Sequence, residues 1–98
     1  MFFALPNPQS DNLVKLMRKI GYHPQKNNSF SRRIGGSYYP RFHIYVRKEI
    51  KEGFWINLHL DQKRASYLGQ TAHSADYEED NPILIQEKER ILTILETL

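Results

Sequence analysis

Cysteine is absent from this chain of 98 residues, and so is any long apolar run. The first absence excludes disulfide bonds, thiolate zinc sites and a cysteine nucleophile, so any metal would need histidine and carboxylate ligands. The apolar start at residues 1–5 has no basic residues before it and is closed by Pro6 and Pro8, which makes it too short for a signal peptide or a membrane span. We therefore expect a cytoplasmic protein with no membrane partner and no cofactor.

The length and composition predict one globular domain over residues 1–98. Apolar residues make up 40% and charged residues 26%, which is ordinary for a folded protein. The charge is uneven, because residues 1–64 carry 12 Lys and Arg against 4 Asp and Glu (+8), and residues 65–98 carry 2 against 7 (−5). A basic segment of this kind attracts polyanions such as nucleic acids, although a solvated basic surface beside an acidic helix face explains the same count.

Two segments have the apolar spacing of helices. The first is expected over about residues 11–20 and is followed by Gly21, a favourable residue just after a helix end. The second has Asn81 as N-cap and Pro82 at its first position. The charged residues 87–90 of this second helix are expected to face water.

Three segments are predicted to be strands. Residues 29–34 form a short one that ends at a Gly-Gly pair. Residues 41–48 and 54–61 alternate between apolar and polar side chains, which is typical of half-buried antiparallel strands joined by a hairpin. We therefore predict an α+β domain of order α-β-β-β-α, a three-stranded antiparallel meander with both helices packed on its apolar face. Residues 62–80 show neither periodicity and are expected to form a long irregular segment.

The alternation sends the polar residues of the two long strands to one side of the sheet. These residues are Arg41, His43, Tyr45 and Arg47 on the first strand and Trp55, Asn57, His59 and Asp61 on the second. A five-residue hairpin loop favours the register that pairs His43 with His59, Tyr45 with Asn57, Arg41 with Asp61 and Arg47 with Trp55. A register shifted by two residues would pair His43 with Asn57 instead.

A pair of imidazoles on this side of the sheet is suited to acid–base catalysis. His43 and His59 resemble the base and the acid of a metal-independent ribonuclease, and Tyr45 and Asp61 stand beside them as further catalytic candidates. A polar sheet face also carries such residues without catalysis, and a loop folded over it would turn them into a buried structural network. A metal site built from His43, His59, Asp61 and His73 is a further alternative.

The segment 62–80 supplies secondary candidates, because long structured loops in small domains are often functional. They are Ser66, Tyr67, His73, Ser74 and Tyr77. The alternative is a purely structural loop that is anchored on the sheet by its larger side chains.

Part of the chain resembles the opening of HicA-type toxins, namely residues 13–22 (LVKLMRKIGY) followed by a polar turn and Phe30. The likeness covers about the first 50 residues. It implies a double-stranded-RNA-binding-domain-like α-β-β-β-α fold, RNA binding, mRNA cleavage by a histidine in a Gly-Ser-His motif, and an antitoxin as partner. The corresponding place holds Gly36-Ser37-Tyr38, so Tyr38 stands where the toxins have their histidine.

The leading hypothesis is a small domain that binds nucleic acid, with RNA as the expected ligand, through its basic surface and the polar side of the sheet. The residues expected to contact the nucleic acid are Lys15, Arg18, Lys19, Lys26, Arg32, Arg33, Arg41, Arg47 and Trp55. One alternative is a phosphodiesterase or ribonuclease that uses His43 and His59. Another is a non-catalytic interaction domain whose acidic helix or sheet edge binds a protein partner or a second copy.

Overall fold

A computed structural model describes residues 1–36, 39–62 and 79–97 of the chain. The elements of these residues are β1 (Phe2–Pro6), α1 (Leu13–Lys19), β2 (His23–Pro24), β3 (Ser29–Arg33), β4 (Arg41–Ile50), β5 (Gly53–Asp61) and α2 (Pro82–Glu96). The described strands form one antiparallel sheet of five in the order β1-β5-β4-β3-β2. Of the two helices in this part of the chain, neither is long and apolar enough to cross a membrane.

The predicted three-stranded meander is wrong, because one further strand lies at each edge of the sheet. β1 pairs with β5 along its whole length, and the two-residue β2 pairs with β3. The order of elements is therefore β-α-β-β-β-β-α rather than α-β-β-β-α. Both added strands are short and contain proline, so their propensity is weak and they depend on pairing with distant parts of the chain.

The junction of β1 with β5 requires a glycine. Gly53 lies opposite Pro6, and a Cβ atom at Gly53 would stand 1.9 Å from the carbonyl oxygen of Leu5. A glycine in a strand often marks a place where another backbone approaches closely. Pro6 and Pro24 lie on the two outer strands, which is where sheets tolerate proline.

The core lies between one face of the sheet and the two helices. The strands contribute Phe3, Leu5, Phe30, Phe42, Ile44, Ile56 and Leu58, and the two helical segments contribute Leu16, Met17, Ile20, Leu84, Ile91 and Leu95. All of them belong to one buried cluster, so both helices cover the same face of the sheet. Each large apolar side chain that is fully buried contributes roughly 1.5–3 kcal/mol, which makes this cluster the main source of stability.

The helices begin where their capping residues allow. Asn12 accepts a hydrogen bond from the backbone N–H of Lys15 at 2.9 Å, so α1 starts later than predicted. Gly21 has a φ of +89°, a left-handed conformation that favours glycine beyond a helix end. Asn81 caps α2 as predicted, and Pro82 occupies its first turn.

Glu87 of α2 is buried, contrary to the prediction that it faces water. It is 3% exposed, and its carboxylate accepts hydrogen bonds from Tyr22 (2.6 Å), Arg32 (2.8 Å) and Arg90 (2.9 Å), which together form the Glu87 cluster. Glu87 lies about one turn from buried residues on either side, so it shares their inward face. Burial alone would raise the pKa of Glu87, but the hydrogen bonds from its partners lower it. The ionised carboxylate thus joins α2 to β3 and to the end of α1.

Candidate functional site

Strand pairing sets three imidazoles of the described sheet in one row. His23 of β2 pairs with Ser31 of β3, Ser31 pairs with His43 of β4, and His43 pairs with His59 of β5. Directly paired residues point to the same side of a sheet, and this side is the one away from the helices. The predicted pairing of His43 with His59 is confirmed, and the alternative register that pairs His43 with Asn57 is wrong.

Two further rows lie on the same side, which we call the polar face. One row contains Arg33, Arg41 and Asp61, and the other contains Ser29, Tyr45, Asn57 and Phe2. The predicted pairs of Arg41 with Asp61 and of Tyr45 with Asn57 are confirmed. The polar face thus brings cations, imidazoles and aromatic rings onto one surface of the sheet.

Asp61 holds the central imidazole of the row in place. Its Oδ2 atom lies 3.0 Å from Nδ1 of His43 and 3.4 Å from Nε of Arg41, and these three residues form the Asp61 cluster. Partial burial alone would raise the pKa of Asp61, but the hydrogen bonds and charges of its two partners lower it. An ionised carboxylate is an acceptor, so in the neutral imidazole it favours the tautomer that carries the proton on Nδ1.

His43 is nearly buried although it lies on the polar face. It is 8% exposed, and its ring stacks on Tyr45 with the centroids 4.3 Å apart. Tyr45 in turn meets His59 edge-on at 5.3 Å, and burial together with the charge of Asp61 raises the pKa of Tyr45. Within the described part of the chain, Nε2 of His43 is buried and has no hydrogen-bond partner. Such orphaned nitrogens are uncommon in proteins, so His43 is a candidate functional residue.

One end of the polar face carries two exposed aromatic rings. Phe2 and Trp55 stack with centroids 6.2 Å apart and planes 13° from parallel, and they remain 47% and 37% exposed. A break in the ladder between Val46 and Lys48 pairs Trp55 with Lys48, so the predicted pairing of Arg47 with Trp55 is wrong. The break adds one residue to β4, and a count of residues around the hairpin does not foresee such an insertion.

The other end of the polar face opens into a basic cleft of about 500 Å³ beside β2. Its lining includes Arg32, Arg33, Arg41, His23, Gln25 and Ser31, and we call it the arginine cleft. Arg33 and Arg41 are direct partners across β3 and β4. None of the described lining residues is a carboxylate, but Glu87 pairs with Arg32 and Asp61 pairs with Arg41, so part of the positive charge of the cleft is compensated.

The basic residues predicted to bind nucleic acid do not share one surface. Arg33, Arg41 and Arg47 lie on the sheet, Lys15, Arg18 and Lys19 lie on α1, and Lys26 lies between β2 and β3. Arg32 sends its guanidinium group to Glu87 on the helix side, because neighbouring residues of a strand point to opposite sides. On α1, Lys15 and Lys19 form ion pairs with Asp11 and lower its pKa, which neutralises part of the helix charge.

Some of the predicted candidates lie outside the described residues. They are His73 of the alternative metal site, Ser66, Tyr67, Ser74 and Tyr77 of the segment 62–80, and Tyr38 of the toxin-like motif. Within residues 1–36, 39–62 and 79–97, no group of three or more His, Asp or Glu side chains is arranged to hold a metal ion. His43, His59 and Asp61 therefore do not form a metal site by themselves.

Phe2, His23 and Lys48 are among the contributors to the polar face that were not predicted as site residues. The signal for Phe2 is the alternation in β1, where Phe3 and Leu5 are buried and Phe2 is exposed. His23 belongs to a strand too short for any periodicity. Lys48 lies opposite Trp55 because of the break in β4, and no local sequence pattern indicates that break.

Comparison with known proteins adds no family to this geometry. A scan against protein-family models, a search of curated proteins and a search of solved structures each found no match. The likeness to HicA-type toxins stays a prediction from sequence, and the α-β-β-β-α order that it implies differs from the order observed.

Proposed function

We propose that this chain binds single-stranded RNA across the polar face of its sheet. The observation that carries the proposal is the exposed stack of Phe2 and Trp55 beside Lys48. Every unpaired base has a flat π-face, so exposed aromatic rings on a sheet are a receptor for single strands of many sequences. The neighbouring ammonium group supplies the positive charge that the backbone phosphates attract.

Positively charged residues at both ends of the polar face support an RNA strand that lies along this face. Lys48 stands beside Trp55 at one end, and Arg33 and Arg41 border the arginine cleft at the other. Trp55 and Asp61 are separated by roughly 20 Å along β5 at the usual rise of a strand. That length suits a site of several nucleotides, the lower part of the range of roughly 4 to 16 known for single-strand-binding folds.

The basic side of α1 is a weaker receptor than the polar face. Lys15 and Lys19 already pair with Asp11, so part of the positive charge of the helix is neutralised. The helix sequence LVKLMRK contains no aromatic residue that could stack on a base.

Replacement of Trp55 tests the proposal. We expect Trp55→Ala to weaken the binding of a fluorescent single-stranded RNA about tenfold, because stacking is worth roughly 1–3 kcal/mol per base. Trp55→Phe retains a ring and is expected to keep most of the affinity. Fluorescence anisotropy at two salt concentrations measures both effects, since binding through phosphates weakens as salt rises.

Ile83→Ala is the matched control for Trp55→Ala. Ile83 is 47% exposed, as much as Phe2, but it lies on α2. We expect this variant to bind RNA like the wild type. Equal affinity of Trp55→Ala and wild type, absence of binding at low salt, or binding that is indifferent to salt would contradict the proposal.

Phosphodiester cleavage is a second candidate function, and the contact between Asp61 and His43 favours it. A carboxylate that holds Nδ1 leaves Nε2 as the atom able to take a proton, and His59 lies directly across the ladder as a candidate acid. The 8% exposure of His43 is the reason to rank cleavage below binding, because a general base must reach the substrate.

The cleavage proposal is tested by incubating a mixed RNA pool with the protein, with and without zinc or manganese. If cleavage occurs, we expect His43→Ala and His59→Ala each to abolish it, and thermal unfolding to show that both variants remain folded. An RNA pool left intact by the wild type under all conditions rules out this second function.

A further inference from the structure

Asn57 lies in the middle of the aromatic part of the polar face. It pairs with Phe2 of β1 on one side and with Tyr45 of β4 on the other. Trp55 and His59 are its neighbours along β5, because residues two apart in a strand point to the same side. Paired Cβ atoms lie about 4.5–5.5 Å apart, and residues two apart along a strand are separated by about 7 Å. Rings therefore lie on every side of one amide group.

The amino group of Met1 fixes the orientation of this amide. The nitrogen atom of Met1 lies 3.0 Å from Oδ1 of Asn57 and 2.9 Å from the carbonyl oxygen of Leu58. A protonated amino group only donates hydrogen bonds, so the atom that faces it must be the amide oxygen. The flipped amide would set two donors against each other.

The Nδ2 atom of Asn57 is thereby left as a hydrogen-bond donor. Within the part of the chain that the structure describes, this atom donates to no protein group, and it is not a buried atom. The residue as a whole is partly exposed, so a ligand on the polar face can reach it. The aromatic part of the polar face thus offers rings to the flat side of a base and an N–H donor to its edge.

The four RNA bases differ in the groups that project from their edges. Uracil has carbonyl oxygens alone, cytosine and guanine each have a carbonyl oxygen and an amino group, and adenine has only an amino group. An N–H donor binds a carbonyl oxygen and opposes an amino group. A fixed donor beside a stacking surface therefore favours uracil.

We infer that Asn57 gives the RNA site a preference for uracil, an inference that rests on the proposed function. A base that stacks beside Trp55 and Phe2 lies next to Asn57, because all three residues share one side of adjacent strands. Nδ2 of Asn57 then donates to a carbonyl oxygen of the uracil. Single-stranded RNA is commonly recognised in this way, by stacking on aromatic rings and by hydrogen bonds to the edges of the bases.

Two RNAs of about ten nucleotides, one of uridine and one of cytidine, test the inference by fluorescence anisotropy. The two bases have rings of the same size, so they differ in their edges rather than in stacking area. We expect the wild type to bind the uridine RNA about fivefold more tightly, the ratio that one hydrogen bond produces.

Substitutions of Asn57 separate base recognition from a structural role. Asn57→Asp keeps an oxygen that accepts from Met1 but replaces the N–H donor by an acceptor, so we expect the preference to reverse toward cytidine, whose amino group donates. Asn57→Ala removes donor and acceptor and is expected to abolish the preference. A residue with only a structural role would change the affinity for both RNAs alike.

Asn27→Asp is the matched control for the added negative charge. Asn27 is exposed in the turn between β2 and β3, and its φ of +57° is a conformation that Asp also adopts. We expect this variant to lower the affinity for both RNAs equally or not at all, with the preference for uridine unchanged. Thermal unfolding verifies that every variant is folded.

The outcomes distinguish the inference from the function on which it rests. Equal affinity of the wild type for the two RNAs, a preference for cytidine, or a preference for uridine that Asn57→Ala retains would overturn the inference and leave RNA binding on the polar face intact. Absence of binding to both RNAs at low salt would overturn the proposed function and the inference together.

Discussion

Each side of the sheet carries a carboxylate bound to arginine, and the two clusters differ in how completely their polar atoms are paired. On the helix side, Glu87 is 3% exposed and is contacted by Tyr22, Arg32 and Arg90. On the polar face, Asp61 is contacted by His43 and Arg41, and its side chain keeps 30% of its surface exposed. Nε2 of His43 is buried beside it without a partner among the described residues.

This difference separates a structural network from a candidate site. A buried polar network whose members are all paired stabilises one arrangement of the elements around it. A cluster with an unpaired nitrogen and a carboxylate that is 30% exposed still has hydrogen bonds to make, which marks it as the candidate site of the two. Similar residue types therefore differ in hydrogen bonding and exposure on the two sides of the sheet.

The largest expected effect comes from breaking the Glu87 cluster. Glu87→Ala removes the acceptor of the buried Tyr22 hydroxyl and the counter-ion of the partly exposed Arg32 and Arg90, so we expect a loss of about 3 kcal/mol in the free energy of unfolding. Urea denaturation measures the loss. Glu89→Ala, on the exposed side of the same helix, is the control and should change stability by less than about 0.5 kcal/mol. Similar losses in the two variants would mean that the cluster is not structural.

The loss of stability at low pH is expected to differ between the Glu87 cluster and the Asp61 cluster in the same direction. Burial would raise the pKa of both carboxyls, but their partners lower them below the ordinary values of 4.5 for Glu87 and 3.8 for Asp61. The stability from a lowered carboxyl pKa is complete above the ordinary value and is lost as the pH falls through the value in the folded state.

We therefore expect Glu87→Gln to flatten the acid-induced loss of stability below about pH 5 more than Asp61→Asn does. The reason is that Glu87 is the more buried carboxylate and has more partners. Urea denaturation at a series of pH values measures both slopes. A flatter curve for Asp61→Asn than for Glu87→Gln would reverse the comparison.

The smallest expected effect on stability comes from His43→Phe. The substitution keeps a ring to stack on Tyr45 and removes one hydrogen bond from Asp61, which retains Arg41 and its exposure to water. We expect a loss of about 1 kcal/mol in the free energy of unfolding, the usual size for one hydrogen bond. RNA binding, followed by anisotropy, is expected to weaken more than it does in Glu89→Ala. A loss of stability as large as that of Glu87→Ala would assign His43 a structural role instead.

The local sequence pattern predicted those elements whose apolar positions are the ones that the structure buries. The alternation in β4 and β5 predicted both strands and the pairing of His43 with His59, because a one-residue slip would turn every apolar side chain away from the core. Asn81 and Pro82 predicted the start of α2, because a cap acts within a single turn.

Individual residues show where pattern is insufficient. Glu87 was assigned to water by its charge, although its helical spacing indicates the inward face, where Tyr22 and two arginines compensate it. Arg32 and Arg33 were both predicted to contact nucleic acid, and the structure places them on opposite sides of the sheet with Arg32 bound to Glu87. For Glu87 the periodicity was the better guide, because the partners that compensate its charge come from distant segments.

The amino-acid sequence alone therefore determines the two long strands, their register near His43 and the start of the last helix, since these depend on neighbours within a few residues. The addition of β1 and β2, the break that brings Lys48 beside Trp55, the burial of His43 and the meeting of three arginines in one cleft depend on contacts between segments far apart in the chain. Such contacts form when the whole domain packs, so they are not encoded in any one window of the sequence.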